Sequence, residues 1–182
     1  MASSIAYPDP YIPELPYLDS LTYPFQDYFY KHIRRALTFF VEATVQDVFD
    51  YMRTVLTQGP RNAYASDRFL TTTANRRRLR NSVYYALELL RDRGEIDRHR
   101  VERRNLYFIP EIWPAHDHRY MISGMIFNIL RQYGVAERIQ IQHHLAEDGE
   151  VYDQAVMMDL INLGCVLVEV VGHRPRYQIN MN

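Results

Sequence analysis

Ten arginines fall between positions 76 and 104, against five acidic residues. Arg76, Arg77, Arg78 and Arg80 crowd into the run RRRLR, with Asn81 and Tyr84 just beyond it. Arg98, Arg100, Arg103 and Arg104 follow in DRHRVERR. Guanidinium forks match phosphate oxygens and the guanine edge, and the Asn amide matches adenine. These residue types bind polyanions and make or break no bonds. Two other readings stay open. Glu88, Asp92, Glu95 and Asp97 are near enough in sequence to pair several arginines as a solvated face, and an acidic protein surface would attract the same charge.

Residues that suggest other chemistry are few. His116, Asp117 and His118 have ligand types, but they precede a helical pattern, where Asp117 suits an N-cap better than a metal. His143 and His144 are adjacent in a helical pattern and so point about 100° apart, which is poor for chelation. The single cysteine, Cys165, excludes an intramolecular disulfide and a cysteine-built zinc or iron–sulfur site. It is expected to be buried and inert, and a lone cysteine fits a reducing, intracellular location. The chain has no phosphate-cradling glycine loop, nucleophile elbow or HExxH pattern. We therefore expect no catalysis, metal, cofactor or small-molecule substrate.

The charge distribution agrees with a polyanion partner. The net charge is −1, yet residues 60–119 carry 13 basic and 8 acidic side chains, while each flank carries 4 and 7. A basic middle between acidic ends accompanies anionic partners. Arginine supplies all but one of the cations throughout, Lys31 being the exception, so that preference by itself is no binding signal. With 47% apolar residues the chain is no disordered protein, and no apolar run is long enough to span a bilayer.

The elements that must position these residues follow from periodicity. Residues 1–24 hold five prolines interleaved with Tyr7, Tyr11, Tyr17 and Tyr23, which forbids a helix and suggests an extended arm that packs on protein. Helical spacing predicts helices over 25–43, 45–57, a short one at 66–70, and 75–93. Gly94 ends the last, and two short strands follow around the tip Glu102-Arg103-Arg104. After Pro110, Trp113 and Pro114 the pattern restarts, with helices over 121–133, 137–147 and 151–163. A strand, a turn at Gly172–Pro175 and a second strand complete it. On the 75–93 helix, Leu79, Val83, Ala86, Leu87 and Leu90 form one apolar stripe, with Arg77, Arg80, Asn81 and Tyr84 opposite and Arg78 and Tyr85 flanking. The 151–163 helix is apolar nearly all round and lacks arginine. It is expected to be buried on every side, with Met157, Leu160 and Ile161 at a protein interface; depth in a larger core is the alternative.

Both halves thus read helix, helix, helix, glycine, strand, turn, strand, with ALELLRDRGEIDRHR matching VMMDLINLGCVLVEV by role about 70 residues apart. This order, with its Leu-Leu-x-x-x-Gly-strand junction, resembles the winged-helix superfamily. The resemblance implies a mainly α fold with small β-hairpins (α+β): a Pro/Tyr-rich arm and helix at 1–43, a basic module at 44–112 and an acidic, apolar module at 113–182. It implies that the third helix enters a groove of DNA or RNA while the hairpin, the wing, contacts the backbone. The expected function is non-enzymatic nucleic-acid binding by the first module, in regulation, replication or packaging. The second module would assemble a homodimer or hetero-complex. In length and plan the chain is also similar to the small two-winged-helix subunit of the endosomal sorting complex, which implies the alternative of a protein scaffold. The longer Pro/Tyr run and the Arg-rich helix depart from that pattern.

Overall fold

The computed structural model describes residues 23–58, 72–112 and 118–182, with the backbone alone at 23–25 and 118–120. Tyr7, Tyr11 and Tyr17 of the arm, the short helix at 66–70, Trp113, Pro114, His116 and Asp117 lie outside the described residues, and so does the side chain of Tyr23.

Among the described residues the chain is mixed α+β, with six helices and two three-stranded antiparallel sheets. The elements are α1 (Tyr23–Phe40), β1 (Glu42–Ala43), α2 (Val45–Gln58), α3 (Thr73–Asp92), β2 (Asp97–Val101) and β3 (Arg104–Phe108). Then come α4 (His118–Tyr133), β4 (Val135–Glu137), α5 (Arg138–Glu147), α6 (Gln154–Asn162), β5 (Val166–Val171) and β6 (Arg174–Ile179). The order α-β-α-α-β-β occurs twice, and the sheets repeat as well: β1-β3-β2 and β4-β6-β5.

The repeat holds residue by residue. Ala43 pairs with Tyr107 and Ala136 with Tyr177, and all four are buried. Counting from these alanines, Ile33, Leu37, Val48 and Met52 correspond to Ile126, Leu130, Ile141 and Leu145, each buried. From the third helix onward the spacing is 70: Ala86, Leu87, Leu90 and Ile96 match Val156, Met157, Leu160 and Val166. Two further glycine-like positions match. Gly134 follows α4 at φ 72°, and Val41 follows α1 at φ 61°, a left-handed conformation that a β-branched side chain adopts only under strain.

Local signals explain the helix starts. At α2 the Thr44 hydroxyl accepts from Asp47 N at 3.2 Å, and Thr44 N donates to the Asp47 carboxylate at 2.8 Å. At α5 the Glu137 N–H donates to Gln140 Oε1 at 2.8 Å in the same reciprocal arrangement. The two-residue and three-residue strands that precede these caps are too short to show an alternation in sequence.

Helix α1 packs on α2, α3 and α4 and joins the halves. Arg34 pairs with Glu95 just past α3, and the Arg93 guanidinium lies 5.5 Å from the Tyr30 ring centre. The next residue, Arg35, turns to the other half and donates to the carbonyls of Asn180 and Asn182 at 3.0 and 2.9 Å. The Tyr28 hydroxyl donates to Met181 O at 2.8 Å. Ser123 on α4 donates to Phe39 O, and Gly124 lets α4 approach Phe40 closely, with Phe39 and Phe40 packed on Phe127. One continuous apolar core results.

Candidate nucleic-acid interface

Helix α3 starts at an N-cap, Thr72, whose hydroxyl accepts from Asn75 N at 3.2 Å. Leu79, Val83, Ala86, Leu87 and Leu90 are fully buried, so the stripe read from sequence is the core face. Arg76, Arg77, Arg80, Asn81 and Tyr84 are exposed, and Arg78 is half-buried. Arg77 and Arg80 make no hydrogen bond or ion pair among the described residues. The acids expected to neutralise them are engaged elsewhere.

Glu88 is the clearest case. Its Oε1 accepts from Arg98 Nη1 at 2.6 Å and from the Tyr107 hydroxyl at 2.7 Å, and its Oε2 lies 3.0 Å from Arg91 Nη2. Burial first, and then the bond to Glu88, push the Tyr107 phenol up to about 12. This network clamps the hairpin of β2 and β3 against α3. Arg98 is thus held to the fold through Glu88, with its side chain still partly exposed.

Strand register sorts the remaining hairpin residues. Directly opposed residues of an antiparallel pair share a face. Arg98 opposes Tyr107 and Arg100 opposes Asn105, so all four lie on the side that meets α3. Arg104 opposes Val101 and belongs to the other side, where His99 pairs with Glu42 at 3.3 Å. Arg103 sits at the tip beside Glu102, with φ 78° and 48°. Two consecutive positive φ values mark the type I′ hairpin geometry, which favours Asn-Gly. The fold thus gathers Arg77, Arg80, Asn81 and Tyr84 on one helix face, brings Arg100 and Asn105 to the adjoining hairpin face, and sets Arg104 apart. Asn105 was not singled out from sequence, because it needs the cross-strand register; Tyr85, which flanks the outward face on the helical wheel, is exposed.

The second half differs in two ways. Helix α6 begins at Gln154, the counterpart of Tyr84, so α3 carries about three extra turns at its N-terminus, and these hold Arg76 to Asn81. The network residues also change character. By the spacing of 70, Glu88 and Arg98 become Met158 and Val168, and Arg100 outside the network becomes Val170, while Tyr107 remains tyrosine as Tyr177.

The expectation that this third helix is buried on every side is corrected. Met157 and Leu160 belong to their own half's core and Ile161 is half-buried against it, so Met157 and Leu160 are not interface residues in this chain. A nine-residue helix presents one face to the core, and Met158 and Leu163 remain outside with Val151 and the outer valines of β5.

The titratable groups elsewhere are structural. His32 is fully buried on α1 between Tyr28 (ring centres 4.3 Å apart) and Tyr51 (Nδ1 3.4 Å from its hydroxyl), and its Nε2 has no hydrogen-bond partner among the described residues. Burial, with Arg35 and Lys31 nearby, lowers its pKa to about 3. Burial likewise raises the Tyr51 phenol and pushes the Cys165 thiol up to about 11. His144 stacks on Tyr133 and bonds Glu147 at 2.8 Å; His143 lies 3.4 Å from the same carboxylate. Among the described residues no three His, Cys, Asp or Glu side chains converge on a metal position, and no helix is long and apolar enough to cross a membrane.

Comparison with protein-family models, curated proteins and solved structures finds no match.

Proposed function

We propose that the protein binds nucleic acid without chemistry of its own, through two winged-helix units of which the first is the reader. In this reading the first unit starts at α1, because β1 completes its sheet and α1 covers α2 and α3. The arginines on the extra turns of α3 contact bases and phosphates, and the hairpin of β2 and β3 acts as the wing. The second unit mediates assembly into a homodimer or hetero-complex.

The observation that carries this reading is the contrast between equivalent surfaces. The hairpin side that meets the third helix bears Arg98, Arg100 and Asn105 in one unit and Val168, Val170 and Pro175 in the other. Arg77 and Arg80, on the extra turns of α3, have no protein partner among the described residues. A twenty-residue α3 whose Arg77 and Arg80 are unpaired among the described residues has little use in a purely apolar contact.

A protein scaffold is the second reading, favoured by the exposed Val151, Met158, Val168 and Val170 of the second unit. Filter binding to mixed-sequence probes across a salt series separates the two. Nucleic-acid binding weakens steeply between about 50 and 200 mM salt, whereas apolar docking does not. Absence of binding at the low-salt end, with micromolar protein, overturns the first reading.

A further inference from the structure

We propose that the first unit takes single-stranded nucleic acid, with unpaired bases stacked on Tyr84 and Tyr85; this rests on the reading of α3 as the nucleic-acid face. The two tyrosines are 43% and 65% exposed, although neighbours on a helix diverge by about 100°. Their ring centres nevertheless lie 5.8 Å apart at 63°, so together they present a two-ring aromatic surface to solvent. Neither hydroxyl makes a hydrogen bond among the described residues.

The fold does not require these rings. Their counterparts on α6, seventy residues on, are Gln154 and Ala155, and the same core closes beneath them. An exposed aromatic pair that the architecture does not need is explained by what it binds. It sits one turn beyond Arg80 and Asn81 on the same side of the helix, and Tyr84 neighbours the Arg98 end of the hairpin. Arg77 and Arg80 neutralise phosphates of a strand laid along α3, Asn81 hydrogen-bonds a base edge, and the rings accept the base faces.

A duplex offers little to this surface. Its base faces are hidden in the stack, so the rings find no face to stack on. Unpaired bases expose both faces, and each stacked base contributes enough to be read by substitution.

The test uses the full chain and fluorescence anisotropy at about 50 mM salt. The probes are labelled mixed-sequence single-stranded DNA and single-stranded RNA of about 20 nucleotides, and the matching duplex. The expected result is tighter binding to at least one single strand than to the duplex, and the DNA and RNA arms identify which sugar is accepted. Tyr84→Leu with Tyr85→Leu should weaken single-strand binding roughly tenfold or more, with duplex binding unchanged, while Tyr84→Phe with Tyr85→Phe keeps it. Should the leucine pair fail to fold, Tyr84→Gln with Tyr85→Ala places the second unit's own residues there and reads the same loss. Preference for duplex, or single-strand binding indifferent to both substitutions, overturns the stacking proposal and leaves nucleic-acid binding standing. Absence of binding to all three probes overturns the proposed function itself.

Discussion

Arg98 and Val168 occupy the same point of two like hairpins, each directly opposite a buried tyrosine, Tyr107 or Tyr177. In the first, a charged clamp through Glu88 fastens the strand to the helix; in the second, the residues at the positions of Glu88 and Arg98 are the apolar Met158 and Val168, both exposed. Tyr107→Phe should lower stability by about 1 kcal/mol by chemical denaturation, since it deletes one hydrogen bond to a charged acceptor. Glu88→Ala should cost more, about 2–3 kcal/mol, because it leaves the Tyr107 hydroxyl and Arg98 unpaired together. Equal losses for the two would show that Arg98 gains nothing from Glu88.

Acid should destabilise the fold through His32. Its pKa is about 3 in the folded chain and about 6.5 unfolded, so below pH 6.5 the unfolded chain binds the extra proton. Its stabilising effect is complete above pH 6.5 and is lost as pH falls toward 3, with a slope of at most about 1.4 kcal/mol per pH unit. Stability measured from pH 7 to pH 4 should therefore fall less steeply in His32→Phe than in the parent. Parallel curves would remove His32 as the source.

The hairpin tip stores strain that a single glycine relieves. Arg103 at φ 78° is an L-residue in the left-handed region, like its counterpart His173 at φ 68°, while Gly172 stands where the first hairpin has Glu102. Arg103→Gly should raise stability by about 0.5–1 kcal/mol and weaken nucleic-acid binding, whereas Arg103→Ala keeps the strain and loses only the charge. A stabilised glycine variant that binds as tightly as the parent would show that the tip arginine has no role in binding.

Arg77 and Arg80 should be dispensable for folding. Neither has a partner among the described residues, so Arg77→Ala and Arg80→Ala should leave stability within about 0.5 kcal/mol. Each should weaken binding and, where it neutralises a phosphate, flatten the slope of log K against log salt by about one unit. An unchanged slope in both variants would place the phosphates elsewhere.

The apolar hairpin of the second unit should govern assembly. Val168 and Val170 are 45% and 68% exposed on one side of edge strand β5. Light scattering should give a mass above 21.7 kDa for the parent, or a partner recovered with it, and Val170→Glu should abolish that association with the melting temperature unchanged. A parent that stays monomeric and alone at high concentration would argue against it.

What the sequence by itself determined is local. The buried stripe of α3, its exposed arginines, the glycine that ends each third helix and the two hairpins all follow from a 3.6-residue period and from turn chemistry, which neighbouring residues settle among themselves. The repeat of about 70 was legible for the same reason. The tertiary structure decided which charges are free. Arg98 and Arg77 are alike in sequence, but packing sets Glu88 against Arg98 and leaves Arg77 open. It also enlisted β1 and β4, too short to show alternation, and made α1 the common wall, with Arg34 tied to one half and Arg35 to the other. The all-round apolar pattern of the last helix misled because composition reports what a side chain tolerates, while burial depends on how many faces the neighbouring elements cover.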